Sequence, residues 1–254
     1  MDILVERAGD VLTLAFNRPD RKNAITSAMY QTLADALVGA QDDASVRAIL
    51  LRGSPGIFSA GNDLEDFLKA PPLGDEAPVF QFLRAISTAE KPLVAAVAGA
   101  AVGVGTTMLL HCDLVYAADT AKFSLPFAQL GLCPEAASSL LLPRVAGYQA
   151  AAEKLLLGEA FDVQEAVRMG FVNRVLPAAE VDAFALQQAH KLAALPASSL
   201  RVTKSLMKRA SQHQIQTQMS DEGVHFAKML LAPEAKEAFK AFFDKRKPDF
   251  RSFS

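Results

Sequence analysis

Residues that commonly build metal sites and disulfide frameworks are scarce in this 254-residue chain. It has two cysteines, four histidines and no tryptophan. Cys112 and Cys133 form no CxxC motif, and the histidines show no ligand spacing around them, so no zinc site is predicted. A chain of this length buries a sizeable core without a disulfide. We therefore expect two reduced thiols, no metal and a cytoplasmic location.

An excess of positive charge and a long hydrophobic run are also missing. The 26 basic and 28 acidic residues give a net charge of −2, which argues against a nucleic-acid partner because phosphate tracking needs a basic excess. The longest apolar stretch, Pro92 to Leu110, contains Gly99, Gly103 and Gly105. It falls short of the roughly 20 apolar residues that span a bilayer. The N-terminal residues suit a strand rather than a signal peptide, so we expect no membrane segment.

Strand-like and helix-like patterns alternate through the first half of the sequence, which predicts βαβ units. Gly9 and Asp10 lie between two β-rich runs and indicate a hairpin. Three prolines and a glycine predict a loop between Lys69 and Pro78. The predicted strands are Ile3–Glu6, Val11–Phe16, Ala48–Leu51, Leu93–Ala98 and Leu114–Ala117, and the predicted helices are Ser27 to Gln41 and Val79 to Ala89.

Helical spacing dominates the second half, apart from a short strand predicted at Phe171–Val175. The tail predicts three successive helices, Ser198 to Ala210, Gln212 to Leu231 and Pro233 to Asp244. The fold class is therefore predicted as α/β with a C-terminal helical region. We place the core in residues 1–197 and a helical oligomerisation region in residues 198–254.

Two glycine-bearing turns are the first candidates for a site. They are Phe58–Leu64, after a strand, and Gly99–Gly105, which follows Leu93–Ala98 and is predicted to open a helix. Glycine lets the backbone approach a ligand closely, and a helix N-terminus offers unpaired N–H groups. Two such turns could aim two N–H groups at one oxygen and hold an oxyanion. Met108 replaces the third glycine of a dinucleotide fingerprint. Tight turns without function remain an alternative.

Several motifs that follow one another along the chain make this pattern more specific than the two turns alone. They are Phe58–Leu64, Lys91–Gly99, Cys112–Ala117, Ala235–Phe239 and Lys245–Phe250. Together they resemble the crotonase (enoyl-CoA hydratase/isomerase) superfamily over essentially the whole chain. The resemblance implies a ββα spiral core, a C-terminal helical region that forms a trimer or a dimer of trimers, and an acyl-CoA thioester substrate. It implies no separate cofactor, because coenzyme A is part of the substrate.

The resemblance also assigns roles to residues at the two turns. It places the oxyanion donors on the backbone N–H groups of Asn62 and Val104. The two glutamates of the hydratases correspond to Thr107 and Phe127 here, and neither residue can act as a general base near neutral pH. Simple hydratase chemistry is therefore not favoured.

One carboxylate fits a different reaction of this superfamily. Ser124–Ser139 resembles the peroxisomal type of Δ3,Δ2-enoyl-CoA isomerase, in which the glutamate of a Pro-Glu pair is the base, and this implies catalysis by Glu135. A single carboxylate suffices to move a double bond from C3 to C2. The alternative is that Pro134 and Glu135 occupy the first turn of a helix that begins near Ala136, where a carboxylate favours the helix dipole.

The remaining predictions concern substrate contacts. Lys22 is a candidate for a CoA phosphate, although a solvated lysine is nearly as good an interpretation, and Asp63 could equally cap a local turn. The predicted substrate-binding residues are Lys22, Ala24, Ser59, Ala60, Asp63, Leu64 and Phe127. Three functions stay open: an isomerase, a hydratase-like or other crotonase enzyme, and a non-catalytic acyl-CoA-binding protein.

Overall fold

The computed structural model describes residues 1–69, 71, 72, 74 and 76–253. The loop predicted between Lys69 and Pro78 includes residues 70, 73 and 75, which lie outside the described residues. The strands are β1 (Ile3–Ala8), β2 (Val11–Phe16), β3 (Ala48–Arg52), β4 (Ile57–Ser59), β5 (Leu93–Val97), β6 (Ala100–Val102), β7 (Leu114–Ala118), β8 (Lys122–Ser124), β9 (Phe161–Asp162) and β10 (Arg174–Leu176). The helices are α1 (Ser27–Asp42), α2 (Leu64–Lys69), α3 (Pro78–Thr88), α4 (Val104–Thr107), α5 (Ser138–Ala146), α6 (Tyr148–Ala152), α7 (Val163–Met169), α8 (Val181–Ala193), α9 (Ala197–Leu230) and α10 (Pro233–Phe243).

A six-stranded sheet in the order β1-β2-β3-β5-β7-β10 forms the centre of the fold. Only β1 and β2 pair in antiparallel fashion, as the predicted hairpin, and the other neighbours are parallel. Every residue of β2 and β5 is buried, because helices and loops cover both faces of the sheet. One face packs in the main core, and the other packs against α8. The predicted α/β class is confirmed.

A second, four-stranded sheet in the order β4-β6-β8-β9 lies beside the first. Its strand β6 was not predicted, since the sequence suggested that the second glycine turn leads directly into a helix. Gly99 has a φ of +72°, and a Cβ there would meet the Gly56 carbonyl oxygen at 1.9 Å. Only glycine fits this approach. The chain therefore turns at Gly99, pairs with β4 through β6, and reaches α4 only afterwards.

The C-terminal region differs from the prediction of three helices. Ala197–Leu230 is one continuous helix of 34 residues, because the predicted break near Ser211 holds no proline or glycine that would end a helix. The predicted helix start near Ala136 is also wrong, since α5 begins at Ser138. The predicted strand at Phe171–Val175 begins later, at Arg174. The domain boundary between residues 197 and 198 stays a prediction.

Helix α9 is joined to the central sheet by a buried lysine. The Lys204 ammonium group lies 2.6 Å from the Asp113 carboxylate and donates to the Lys91 carbonyl at 2.7 Å. The same carboxylate accepts the N–H of Leu93 at 2.7 Å, so the contact fixes α9 against the start of β5. No helix in the described part of the chain is long and apolar enough to cross a membrane. The cytoplasmic location stays a prediction.

Candidate active site

The two glycine turns pack directly against each other. Gly61 has a φ of +85°, and a Cβ on it would meet the Val102 carbonyl oxygen at 2.7 Å. A Cβ on Gly105 would meet the Ser59 carbonyl oxygen at 3.0 Å. Each turn therefore approaches the end of the neighbouring strand: Gly61 contacts the end of β6, and Gly105 contacts the end of β4. It brings Asn62 and Val104, which follow Gly61 and Gly103, to the same region.

The backbone of Asn62 leaves its N–H group available. Ile25 donates to the Gly61 carbonyl at 2.8 Å, and Asp63 donates to the Ile25 carbonyl at 3.0 Å. In such a parallel bridge the residue between, Asn62, points its own N–H away from Ile25. Within the described residues this N–H meets no acceptor. It is thus free to bind an oxygen atom of a ligand.

Val104 offers a second free N–H group because it is the first residue of α4. Gly103 donates to Ser124, while Thr106 and Thr107 both donate to the Gly103 carbonyl. The first N–H groups of a helix have no partner inside it, and no acceptor for the Val104 N–H is present in the described part of the chain. The turn supplies the kind of donor that an oxyanion requires.

Glu135 is a buried carboxylate with one strong hydrogen bond. Only 7% of the residue is exposed, and the Thr107 hydroxyl donates to its Oε1 at 2.6 Å. Burial raises the pKa of Glu135 to about 7, the nearby Glu222 carboxylate adds to the rise, and the Thr107 hydrogen bond opposes it. A carboxyl group with this pKa can accept and return a proton near neutral pH.

The backbone after Glu135 is left-handed and is anchored on two sides. Ala136 and Ala137 have φ values of 60° and 55°. His111 hydrogen-bonds the Ala136 carbonyl through Nε2 at 2.8 Å. Glu222 accepts the N–H of Ala137 at 2.6 Å. These two turned residues, which no local pattern indicates, are the reason that Glu135 precedes the helix instead of lying in its first turn.

His111 is an anchor and does not activate a nucleophile. Burial lowers the pKa of His111 to about 4, so the neutral ring donates its Nε2 proton to Ala136. Burial also raises the pKa of the adjacent Cys112 thiol to about 12, and this thiol donates to the Met108 carbonyl. No group of three residues that could hold a metal ion occurs in the described residues.

A cleft of about 590 Å³ leads to the two turns, and most of the predicted substrate contacts lie on its wall. The predicted residues on this wall are Lys22, Ala24, Ala60, Asn62, Asp63, Leu64 and Phe127. Ser59 is fully buried, and its hydroxyl donates to Asn23 and accepts the N–H of Gly61. It therefore shapes the turn from behind and is not among the described residues that line the cleft.

An inner cavity continues from this cleft to Glu135. The two spaces share Asn62, Phe67 and Phe226, and the inner cavity also has Glu135 and Glu222 on its wall. The candidate base and the turn that carries one candidate oxyanion donor thus lie on the wall of the same inner cavity. Phe67 and Phe226 contribute apolar surface to the cavity that contains Glu135, and burial of a carboxyl group in such surroundings raises its pKa.

Asp63, the other carboxylate at the first turn, is occupied locally. It lies 2.7 Å from the Arg18 guanidinium and accepts the N–H groups of Glu65 and Asp66 at the start of α2. Partial burial acts against ionisation, but these hydrogen bonds hold the pKa of Asp63 below its usual value. Asp63 is therefore a cap and an ion-pair partner, and a poor base.

The sequence interpretation missed the roles of three side chains at the site. Tyr30 is fully buried and donates its hydroxyl to the Asn62 side chain, and burial together with Glu135 raises the pKa of this phenol well above its ordinary value. Thr107 bonds Glu135, and Glu222 anchors the segment that follows it. On α1, Tyr30 occupies an ordinary core-facing position, so no sequence signal separates it from a packing residue.

Comparison with known proteins gives one family. A family model described as "Enoyl-CoA hydratase/isomerase" matches residues 6–252. The chain is 32% identical over 253 residues to "2,3-dehydroadipyl-CoA hydratase" of Escherichia coli (strain K12), with 98% of each protein covered. It is 35% identical over 252 residues to "Enoyl-CoA delta isomerase 2" of Rattus norvegicus, covering 97% of this chain and 64% of that protein. The chain therefore spans less than two thirds of this second relative.

Solved structures match the fold closely. The crystal structure of an enoyl-CoA hydratase/isomerase from Pseudoalteromonas atlantica T6c superimposes with a TM-score of 0.95 at 43% identity, and the match covers 98% of this chain and 100% of that one. Relatives named as hydratases and as isomerases are similar to the chain at comparable identity. The choice between the two reactions therefore depends on the residues of the site.

The hydrogen bond from Thr107 gives a first test of the site. Thr107→Val keeps the shape but removes the donor that favours the ionised carboxylate, so the pKa of Glu135 should rise above its value of about 7. The measurement is a pH titration by NMR of protein with carbon-13 in the glutamate carboxyl groups. Thr106→Val is the matched control, because that hydroxyl bonds the Ala101 carbonyl. An unchanged titration in Thr107→Val would contradict the assignment.

Proposed function

Because the chain belongs to the enoyl-CoA hydratase/isomerase family, we propose that it is an isomerase that moves a double bond from C3 to C2 of an enoyl-CoA thioester. The observation that carries this proposal is the buried carboxylate of Glu135, which has only one hydrogen-bond donor among the residues that the structure describes. It is buried at the inner end of the cleft, has a pKa of about 7, and faces the same cavity as Asn62. The isomerisation needs one group that takes and returns a proton, and Glu135 suits that requirement.

The reaction follows from the positions of three groups. The thioester oxygen binds the free N–H groups of Asn62 and Val104. The Glu135 carboxylate removes a proton from C2, and the electrons move into a dienolate whose oxygen is stabilised by these two donors. Glu135 then returns the proton to C4, and the double bond is left between C2 and C3. No atom is gained or lost, and the carboxylate ends in its starting state.

Hydration is the second candidate because a hydratase relative is equally similar over the whole chain. That reaction has to add water across the double bond, and the hydratase members of the superfamily use two glutamates for it. Thr107 and Phe127 occupy the corresponding positions here. Phe127 places an apolar ring on the cleft wall, and the Thr107 hydroxyl is engaged with Glu135. These side chains favour isomerisation over hydration.

A non-catalytic acyl-CoA-binding protein is the third candidate. Binding alone would not require a carboxyl group with a neutral-range pKa inside an apolar cavity, since burying a charge there is unfavourable. The presence of Glu135 therefore supports turnover. The exposed Lys22 on the wall of the cleft suits a CoA phosphate in either case and does not separate the two functions.

The catalytic role of Glu135 predicts a large loss on removal of the base. Glu135→Gln should lower the rate of 3-enoyl-CoA isomerisation by about 10²–10⁴-fold, as is typical of a general base, with little change in thioester affinity. The assay follows the ultraviolet absorbance of the conjugated 2-enoyl thioester. The control is Glu90→Gln, which changes an exposed glutamate. The base acts when deprotonated, so kcat/KM of the parent should fall as the pH drops below about 7.

Three results would separate the candidates. If Glu135→Gln turns over as fast as the parent, Glu135 is not the base. If the parent hydrates 2-enoyl-CoA but does not isomerise 3-enoyl-CoA, the hydratase function replaces the isomerase. If the parent binds the thioester and converts neither substrate, the protein is a binder.

The oxyanion donors predict a contrast between two substitutions at one position. Val104→Pro deletes the N–H and should lower kcat by about 10²–10³-fold, whereas Val104→Ala retains it and should lose far less. Proline is tolerated at the first position of a helix, and thermal melts check that each variant folds. Equal rates for the two variants would remove Val104 from the mechanism. Asn62→Ala is a poor control, because it also removes the acceptor of the buried Tyr30 hydroxyl.

The helical tail predicts an assembly, most simply a trimer or a dimer of trimers. In the single chain several large apolar side chains are exposed, and an oligomer would cover them. They include Val202, Leu206 and Met207 on α9 and Tyr148 and Leu156 near α6. Light scattering on the purified protein should give a mass of three or six chains. A stable monomer at working concentration would contradict this prediction.

A further inference from the structure

Glu222 is a buried carboxylate for which the proposed reaction has no use. It lies in the C-terminal third of α9 and is only 5% exposed. Its Oε2 accepts the N–H of Ala137 at 2.6 Å, and its Oε1 accepts the N–H of Ser139 at 3.0 Å and the Ser139 hydroxyl. Both oxygens are therefore engaged. A charged group at this depth is unfavourable unless its contacts compensate, so the arrangement calls for an explanation.

The contacts of Glu222 hold a backbone conformation that alanine does not favour. The left-handed conformation is unfavourable for a residue with a Cβ, and both Ala136 and Ala137 adopt it. The Ala137 carbonyl accepts the N–H of Leu141 in the first turn of α5, but the Ala137 N–H and the Ala136 carbonyl precede the helix and have no partner within it. Glu222 accepts the Ala137 N–H on one side, and His111 donates to the Ala136 carbonyl on the other. Without Glu222 the N–H group of buried Ala137 would lose its acceptor, and the segment that begins at Glu135 would relax.

The charge of Glu222 also acts on Glu135. Burial raises the pKa of Glu222, but hydrogen bonds from Ser139 and Ala137 oppose this rise. In the part of the chain that the structure describes, three donors point at the Glu222 carboxylate and only one, Thr107, points at Glu135, so of the two groups Glu222 is the one that keeps the charge and Glu135 takes the proton. The other titratable groups near Glu135 are neutral: burial raises the pKa values of the Tyr30 phenol and the Cys133 thiol, and burial lowers that of His111. Among the described residues Glu222 is therefore the charged group that faces Glu135.

We propose that Glu222 is a positioning residue for the base: it fixes the left-handed segment that aims Glu135 into the cavity, and its fixed negative charge favours the protonated form of Glu135. This inference rests on the isomerase function proposed above. It assigns part of the active site to α9, a helix of the region that we predict to form the oligomer. Glu222 itself touches no reacting atom and acts only through Glu135.

The test compares Glu222→Gln with Asp221→Asn. Both substitutions remove one negative charge from neighbouring positions of α9, but Asp221 is exposed. In Glu222→Gln, kcat for 3-enoyl-CoA should fall on the order of 10- to 100-fold, as expected for a displaced catalytic group, with little change in KM. The acid limb of the pH profile should move to lower pH, because the repelling charge is gone. Asp221→Asn should match the parent in both respects.

Glu222→Asp separates the two parts of the role and serves if Glu222→Gln does not fold. Aspartate retains the charge but is one methylene too short to reach both Ala137 and Ser139. Its kcat should fall while the midpoint of the acid limb stays near that of the parent. Thermal melts establish that each variant is folded at the assay temperature.

A direct titration keeps this inference distinct from the isomerase proposal. The midpoint of the Glu135 carboxyl carbon, measured by NMR and assigned with Glu135→Gln, does not depend on turnover. It should move to lower pH in Glu222→Gln and stay unchanged in Asp221→Asn. If the parent does not isomerise, the proposed function fails and this titration still decides the role of Glu222. Identical midpoints in the two variants overturn the inference, as does a shifted midpoint with unchanged turnover in an active enzyme.

Discussion

The contact between Gly61 and the Val102 carbonyl is the constraint on which the site depends. A Cβ at Gly61 would lie 2.7 Å from that oxygen, so the two chain segments can meet only because a side chain is absent. At this contact the backbone N–H of Asn62 points away from Ile25. The start of α4 lies beside Asn62. A pair of hydrogen-bond donors arises in this way from main chain alone, and the identity of the side chains at Asn62 and Val104 matters less than the path of the backbone.

Burial supplies the second part of the chemistry. The donors at the turns favour negative charge on a bound oxygen, and the apolar cavity disfavours it on Glu135. The surroundings of the two groups therefore favour a proton on the carboxyl group of Glu135 and a negative charge on an oxygen bound at the turns. Phe67 and Phe226, which line both the cleft and the inner cavity, contribute to the apolar character of these surroundings. Asp63, which faces Arg18 at the same turn, shows the opposite case, in which contact with a cation keeps a carboxylate ionised.

The spacing of apolar residues and the turn residues predicted those elements whose structure depends mainly on neighbouring residues in the sequence. The hairpin of β1 and β2, the buried strand β5 and helix α1 all follow from periodicity and turn residues. Strand β6 was missed because three residues after a glycine carry too little pattern, and its existence depends on pairing with β4. The left-handed turn at Ala136 has no signature, since alanine is an ordinary helix former. Its stabilising partner Glu222 lies 85 positions beyond Ala137 in the sequence, a distance across which spacing rules say nothing.

The separation between Ala137 and Glu222 also bears on the order in which the protein can become functional during synthesis. The two turns, the central sheet and Glu135 all emerge from the ribosome well before α9, and domains fold as the chain appears. Until residue 222 has joined them, the segment after Glu135 lacks an acceptor for the N–H groups of Ala137 and Ser139. A nascent chain can therefore possess its sheet and the two proposed oxyanion donors before the proposed base, Glu135, is held in position. Because α9 is synthesised late, the segment after Glu135 gains its last hydrogen-bond acceptor only when the chain is nearly complete.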